Sequence, residues 1–414
     1  MKPAENKLVA LADTRWGGHH PTYLREFTAS LLRLGARVTL LCRRPEEIIG
    51  SLPDEESRAR VTPVVFDHPN HGFFSRKRDH DPLSTLSRWL ATGKAIHEAE
   101  ESLGQKVDLV FFPYLDSYIR FAPFPKLPVL TLGRPWSGLY FRNAHLEPGH
   151  PGASAWWKRA AKGDRILEAR DCRGICVLDE RFNDHLQTIT RHRVHAFPDM
   201  TDESPPEGPT DASREILAKA KGRKIIGLIA MEKRKGLLTL LRAAAIARRL
   251  GEPWYFVGTG PFARVTFTEE DITFCEETAR AAASGEIDNL HLDLKGSRIQ
   301  DGVPYNTLFS TFDVVWAAYE DFEGSSNALT KAAIFRKPLV ATAGQCVGAR
   351  VEKHQLGRVF PQGDPAAAVE AIRGALALRS ADGSPLRPAF EDYQCLHSRE
   401  RLDEIFGRLL GNDA

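Results

Sequence analysis

The sequence predicts an α/β protein built from two doubly wound, parallel-sheet domains. Three observations point there. Short apolar runs, suited to strands buried on both faces, alternate with amphipathic helical patterns along nearly the whole chain. The strand-to-helix connections carry small or glycine residues, as at Gly17-Gly18, Lys235-Gly236 and Gly324 to Asn327. A proline-rich stretch, Glu203 to Ser213, interrupts the alternation, which then restarts. At 414 residues the chain also exceeds one ordinary core. The expected division is a first domain over 1–203, a linker over 204–213, a second domain over 214–388 and a terminal segment over 389–414.

Lys7 to Ala12 reads as the first strand, followed by D-T-R-W-G-G-H-H-P-T and a helix from Tyr23 to Leu34. Leu24, Phe27, Leu31 and Leu34 give that helix a buried stripe. Gly35 ends it, and Arg37 to Cys42 is the next strand. This is the first unit of a doubly wound sheet, although the G-x-G-x-x-G dinucleotide fingerprint is absent. Gly17 and Gly18 make a tight turn. His19 and His20 follow at the open edge of the first strand, where ligands of such sheets bind. Two readings stay open for them: solvated surface groups, or ligands for a hydroxyl or a phosphate. A metal fits less well, because adjacent side chains rarely meet one ion.

Val61 to Phe66 is a strand, a basic and aromatic loop follows, and Leu83 to Leu103 is a helix. Strands at Val107 to Phe112 and Val129 to Leu132 place Asp116 and Arg134 at strand ends, as polar site candidates or as ordinary salt bridges and caps. Ala153 to Lys162 contains Trp156, Trp157, Lys158 and Arg159. A weak peripheral membrane contact is one reading of it. The stretch is short and modestly charged, which favours a half-buried helix. Gly174 to Leu178, a helix over Glu180 to Thr188 and Val194 to Phe197 close the first domain.

The second domain opens with the strand Lys224 to Ala230, the loop M-E-K-R-K-G and a helix from Leu237 to Leu250. Lys233, Arg234 and Lys235 put cations at the start of that helix, which suits a bound anion; a solvated basic loop is the alternative. Trp254 to Val257 is a strand closed by a turn holding Gly258 and Gly260, and Phe262 to Gly285 is an insertion with a helix. Phe312 to Ala318 is a buried strand leading to the acidic turn Glu320 to Gly324. Ser325, Ser326 and Asn327 then precede a helical pattern from Ala328 to Phe335, stopped by Arg336-Lys337-Pro338 before the strand Leu339 to Thr342. Ser and Asn accept hydrogen bonds from the first N–H groups of a helix. A helix start at the mouth of a parallel sheet carries partial positive charge and suits a phosphate. Gly344 to Gly348 reads as a further loop, and Cys395 to Leu410 as the last helix.

Composition narrows the function classes. Apolar content of 42% and charged content of 27% are those of a globular protein. A formal charge of +2 gives no reason to expect a nucleic acid partner. Of six cysteines only Cys172 and Cys176 are near each other, and they lack the second pair a zinc site needs, so reduced buried thiols are expected. The polar N-terminus is no signal peptide, and no apolar run is long enough to span a membrane, so a cytoplasmic protein is expected.

The stretch Val314 to Gly348 resembles the donor-binding segment of GT-B glycosyltransferases, in particular the retaining group numbered family 4. In that group a Glu, a second Glu eight positions on, a small-residue helix and an apolar strand opening with Pro follow one another. Glu323 stands at the first position, Lys331 at the second, and Ala332 to Thr342 match the helix and strand. Gly17-Gly18 resembles the group's glycine loop, Lys235-Gly236 its diphosphate-binding Lys-Gly, and Gly258 to Pro261 its base-side turn. The resemblance implies a GT-B architecture, two Rossmann-like domains facing a cleft, with a C-terminal helix crossing back to the first. It implies transfer of a hexosyl-type sugar from a nucleotide-sugar to a hydroxyl acceptor (glycan, lipid-linked or small molecule), with retention and without metal or cofactor. Glu323, Lys235, His19 and His20 fall to catalysis, and Gly17, Gly18, Lys233, Arg234, Gly258, Gly260, Gly324, Ser325, Ser326, Asn327 and Lys331 to the donor. Asp116 and Arg134 fall to the acceptor side. Lys331 departs from the group: lysine has three donors and no acceptor, so it cannot receive bonds from a ribose. A non-catalytic binding protein of the same fold, an epimerase and a phosphorylase are the alternatives.

Overall fold

A computed structural model describes residues 4–18, 20–68, 82–119, 122, 125–141 and 164–411. The chain forms two units: Met1–Met200 with His397–Ala414, and Thr201–Leu396. Unit 1 holds β1 (Leu8–Ala12), β2 (Arg37–Cys42), β3 (Val61–Val65), β4 (Leu109–Phe112), β5 (Trp136–Tyr140), β6 (Cys172–Val177) and β7 (Val194–Ala196). All pairs are parallel, in the order β3-β2-β1-β4-β5-β6-β7. Unit 2 holds β8 (Lys224–Met231), β9 (Trp254–Phe262), β10 (Leu290–Leu292), β11 (Val314–Ala317), β12 (Leu339–Thr342) and β13 (Gly357–Phe360), all parallel in the order β10-β9-β8-β11-β12-β13. Each sheet reverses its winding once, between β1 and β4 and between β8 and β11. Outside the carboxyl ends of those strands is where a doubly wound sheet leaves room for a ligand. Strands β1, β4, β11 and β12 are buried at every position, which is why they read as unbroken apolar runs.

In unit 1 the helix His20–Arg33 buries Leu24, Phe27 and Leu31, the stripe its spacing predicts. The last helix, Arg399–Leu410, packs against it. Phe406 is fully buried, with ring centroids 5.7 Å from Phe27, 5.0 Å from Phe111 and 5.9 Å from Phe197. Arg33 Nε and Nη2 donate to Asp403 at 2.9 and 2.7 Å, and Arg399 Nε donates to Glu26 at 2.9 Å. The two crossings of the chain between units are tied on the unit 1 side, where Asp199 N donates to His397 Nδ1 at 2.9 Å.

Several boundaries differ from the sequence reading. Val129 to Leu132 is not a strand: Leu127–Thr131 is a short helix with Pro128 in its first turn and Thr131 Oγ1 bonded back to the Leu127 carbonyl at 2.8 Å. The strand lies later, at β5, so Arg134 precedes a strand instead of following one. The turn expected at Gly258 to Pro261 is part of β9, which continues along β8 past a bulge. Gly344 to Gly348 is the start of a helix, Gln345–Lys353. The last helix is two, Phe390–Leu396 and Arg399–Leu410. The proline-rich stretch is held: Thr210 caps the helix Asp211–Ala220, Glu207 N donates to Thr307 at 3.1 Å and Asn306 Nδ2 donates to the Ser204 carbonyl at 2.8 Å. Apolar periodicity is blind to such polar anchoring. All six cysteines are free, with Cys395 alone exposed, and burial pushes the Cys172 thiol up to about 12. Among the described residues no helix is long and apolar enough to cross a membrane.

Phe406→Ala should destabilise unit 1 by about 3–5 kcal/mol, the usual cost of truncating a buried aromatic. Urea unfolding of the full chain should show it as a lower midpoint.

Candidate functional site

In unit 2 the loops after β8 and β11 are bound to one another at the reversal point. Gly236 has φ +70, and a Cβ there would lie 2.3 Å from the Ala318 carbonyl oxygen. Only glycine permits both the left-handed turn and that approach. Glu320 N donates to the Arg234 carbonyl at 2.8 Å, Trp316 Nε1 to the Lys235 carbonyl at 3.1 Å, and Thr239 Oγ1 to Glu320 at 2.6 Å.

The three predicted cations of this loop have different fates. Lys233 pairs with Asp271, the capping-box residue of the helix Glu269–Ala283, at 2.6 Å. Arg234 pairs with Glu232 at 2.7 Å and lies 5.2 Å from the Phe322 ring centroid. Lys235 is 18% exposed; its Nζ is 3.6 Å from Glu232 Oε1 and 3.4 Å from the Ile229 carbonyl oxygen. Both distances exceed those of a strong charged hydrogen bond. Burial holds the Lys235 pKa below the ordinary lysine range, against the pull of Glu232. The Glu232 carboxyl is pushed up by burial, but Arg234 and Lys235 outweigh this and leave it low. Lys235 is therefore a desolvated cation with incomplete compensation, the electrostatic condition for receiving an anion.

Across the reversal point, Ser326 caps the helix Asn327–Ile334 by accepting from Ala328 N at 3.3 Å, and Tyr319 Oη is 2.7 Å from Ser326 Oγ. Ser325 Oγ accepts from Arg350 Nη1 at 2.6 Å. Arg350 is 1% exposed on the helix Gln345–Lys353, so a buried guanidinium fixes the loop from beneath. Gly324 sits against the Phe322 ring, which stacks on Tyr319 at 4.8 Å. Glu323 is exposed on this turn.

Lys331 is turned into the interior of unit 2. It is 5% exposed, and its Nζ donates to the Asp202 carbonyl at 2.9 Å and to Asn306 Oδ1. Tyr305 and Phe335 rings lie 5.1 and 5.9 Å away. Asn306, fully buried, donates from Nδ2 to Ser204 O and to Asp202 Oδ1. The ammonium thus anchors residues 202–204, which sequence spacing within one helix could not foretell. Gly258 and Gly260 lie inside β9: a Cβ at Gly258 would meet Leu292 at 2.9 Å, and Gly260 has φ +82 beside the bulge. Their glycines answer to packing and backbone shape.

In unit 1 the loop after β1 carries a pair that composition alone did not single out. Asp13, 2% exposed, accepts from Arg15 N at 2.8 Å with Oδ1, and its Oδ2 is 2.7 Å from His20 Nδ1. The His20 ring stands edge-on to Tyr114 at 5.3 Å, and Arg15 Cζ lies 4.9 Å from the same ring centroid. Arg15 Nε donates to Ser117 at 3.2 Å. Gly17 and Gly18 take φ +106 and +57, and a Cβ on either would meet nothing within 4 Å among the described residues. Their positive φ values serve the turn. Asp116, at the carboxyl end of β4, is buried and accepts from Phe141 N at 2.8 Å, tying the ends of β4 and β5. Arg134 makes a two-pronged contact with Glu100, at 2.6 and 2.8 Å, at the amino end of β5. That is the sheet edge away from the strand carboxyl ends, so its acceptor-side assignment is withdrawn; the misplaced strand caused it. His19, Trp156, Trp157, Lys158 and Arg159 lie outside the described residues. Among the described residues no cluster of three or more His, Cys, Asp or Glu could hold a metal. The residue that sequence reading missed, Asp13, had one signal: a carboxylate at the end of the first strand, in the same loop as two histidines.

No family model and no curated protein matches the sequence. Solved structures do match over the full length. Sucrose-phosphate synthase of Thermosynechococcus elongatus is 16% identical with a TM-score of 0.64, covering 98% of each chain. A glycosyltransferase from Rickettsia africae is 12% identical with a TM-score of 0.62, covering 99% of each. Anabaena HepE, in complex with UDP, is 14% identical with a TM-score of 0.60, covering 97% of each. At such identities the likeness establishes fold: this chain has the GT-B architecture of two Rossmann-like α/β domains.

Lys331→Glu, which would restore the residue typical of the resembling group, should instead destabilise unit 2 by about 3 kcal/mol or more. It sets a carboxylate against the Asp202 carbonyl and Asn306 Oδ1, and breaking a buried charged contact is costly on that scale. Denaturant titration of the variant checks this.

Proposed function

We propose that the protein is a glycosyltransferase that moves a sugar from a nucleoside-diphosphate sugar to a hydroxyl acceptor with retention of anomeric configuration. The observation that carries this reading is Lys235. It is a desolvated, under-compensated ammonium on the loop after β8, and that loop is bound to the one that enters the capped helix Asn327–Ile334. A diphosphate fits such a place, because an ammonium and helix first-turn amides both favour negative charge. Supporting it, HepE shares the fold over its whole length and is described with UDP bound.

On this reading unit 2 is the donor half. As the bond from sugar to diphosphate breaks, charge grows on the leaving phosphate, and groups held in place beforehand stabilise it without reorganising. Lys235 and the start of the helix Asn327–Ile334 are such groups, fixed by Gly236, Trp316, Glu320 and Arg350. Glu323, on the exposed turn, is assigned to sugar hydroxyls by the family resemblance, as are retention and the dispensability of a side-chain nucleophile. Lys233 and Arg234 are already paired and belong to the scaffold of the loop. Unit 1, with His20 and Asp116 about its own reversal point, is the acceptor half.

A thermal-shift panel of UDP, GDP, ADP and their glucose and mannose esters should give one clear winner. Stabilisation is about 2.7 kcal/mol at a hundred times the dissociation constant. Lys235→Ala should weaken that ligand by about 10- to 150-fold, the loss of one charged hydrogen bond of roughly 1.5–3 kcal/mol. A flat panel defeats the reading, and nucleotide-sugar binding with no sugar transferred to any acceptor leaves a binding protein.

The Lys235 pKa also sets a pH dependence. The protonated form binds the diphosphate, and burial lowers the pKa of the free enzyme, so affinity should fall as pH rises through that lowered value, before an ordinary lysine would titrate. Lys235→Arg, which stays charged, should abolish this fall in a calorimetric pH series.

A further inference from the structure

Glu232 stands beside the cation on which the diphosphate reading depends. Its Oε2 accepts from Arg234 Nε at 2.7 Å, and its Oε1 lies 3.6 Å from Lys235 Nζ. Burial pushes the Glu232 carboxyl up, but its contacts with Arg234 and Lys235 outweigh this and hold it below the ordinary glutamate range. It is therefore ionised at neutral pH. The backbone around it is held on both sides. Met231 O accepts from Ala263 N at 2.9 Å, Lys233 N donates to Thr266 Oγ1 at 3.1 Å, and Glu232 O accepts from Lys235 N at 3.0 Å. Arg234, whose grip would have to break for the carboxylate to withdraw, is fixed in turn by Glu320 N on its carbonyl and by the Phe322 ring.

A phosphate oxygen bonded to Lys235 Nζ at about 2.8 Å lies no farther than about 6.5 Å from Glu232 Oε1, whatever its direction. Negative charge on the ligand there meets a fixed like charge as well as the ammonium. Sugar transfer changes that charge. It breaks the bond from the anomeric carbon to the diphosphate oxygen, forms one to the acceptor oxygen and frees the hydroxyl proton. The electron pair of the broken bond stays with the diphosphate. The ester carries about two negative charges and the free nucleoside diphosphate about three, since its terminal phosphate has a pKa near 6.

We propose that Glu232 is a discriminating residue of the donor half: fixed beside Lys235, its carboxylate disfavours the free nucleoside diphosphate relative to its sugar ester and so speeds departure of the leaving group after transfer. This rests on the reading of Lys235 as the partner of the diphosphate. One further unit of charge at about 6.5 Å is disfavoured about threefold in water, and some tens of fold at the effective dielectric near a protein surface. The same repulsion opposes charge growth as the bond breaks, so Glu232 exchanges part of the stabilisation by Lys235 for release of the product.

The test measures dissociation constants by calorimetry on the full chain, in buffer free of divalent cations. The matched pairs are UDP with UDP-glucose, GDP with GDP-mannose and ADP with ADP-glucose. For the pair that binds, Glu232→Gln should tighten the free diphosphate more than the ester at pH 7.5. The ratio of their dissociation constants should fall at least about threefold, and diphosphate dissociation in stopped flow should slow by a similar factor. Glu232→Asp keeps the charge and should keep most of the wild-type ratio. At pH 5, below the phosphate pKa of about 6, the free diphosphate carries nearly the charge of its ester. The effect of Glu232→Gln on the ratio should vanish there, whereas a change in loop packing would persist. Equal tightening of both ligands, weaker binding of both, or a ratio shift that persists at pH 5 overturns the proposal. Where a pair binds and Lys235→Ala weakens it, an unchanged ratio sinks the role of Glu232 alone. If no pair binds, the glycosyltransferase reading falls and this one with it.

Discussion

The contact between Gly236 and the Ala318 carbonyl governs the rest of unit 2's site. The two backbone segments approach so closely that no Cβ fits, and three further hydrogen bonds hold them there. That contact joins the loop carrying Lys235 to the loop that becomes the helix Asn327–Ile334. The cation and the helix start are thereby parts of one rigid assembly, and neither can relax to relieve the desolvation of the ammonium. Compensation of the ammonium inside the protein stays incomplete, with Glu232 at 3.6 Å.

The two units solve one topological problem with different chemistry. Both sheets run 3-2-1-4-5-6 from their own first strand, and unit 1 adds a seventh strand. Their reversal points are then equivalent in backbone terms. At the first lies a carboxylate–imidazole pair beside an arginine stacked on tyrosine; at the second lies an under-paired lysine with a capped helix.

Much of this is legible in the sequence, for a definite reason. Strands buried on both faces announce themselves as apolar runs, and the helices between them carry clear stripes. All but one of unit 1's described strands, β8, β11 and β12 of unit 2, and the start but not the end of β9 can therefore be placed to within a few residues. The exception in unit 1 is Val129 to Leu132, where a helix of five residues uses the same apolar letters a strand would. In unit 2, β10 spans three residues and β13 is only half buried, so neither makes such a run. Loops with Lys235 and Ser326 stand out because cap and cation chemistry is local. Arg134, Lys331 and Asp13 are misjudged or missed because their roles depend on partners far along the chain or across a loop: Glu100, Asp202 and Asn306, and His20. Pairing of that sort has no period and leaves no local pattern.

The return of the last helix to unit 1 has a bearing on biosynthesis. Phe406 completes an aromatic cluster with Phe27, Phe111 and Phe197, residues translated long before it. Unit 2 is contiguous, Thr201–Leu396, and can reach its final form as soon as it clears the ribosome. Unit 1 has to wait, with its hydrophobic interior unsealed, until Arg399–Leu410 has emerged. A nascent chain stalled before His397 would expose that interior to chaperones and proteases. Synthesis of the whole of the second unit thus stands between the first and its own closure.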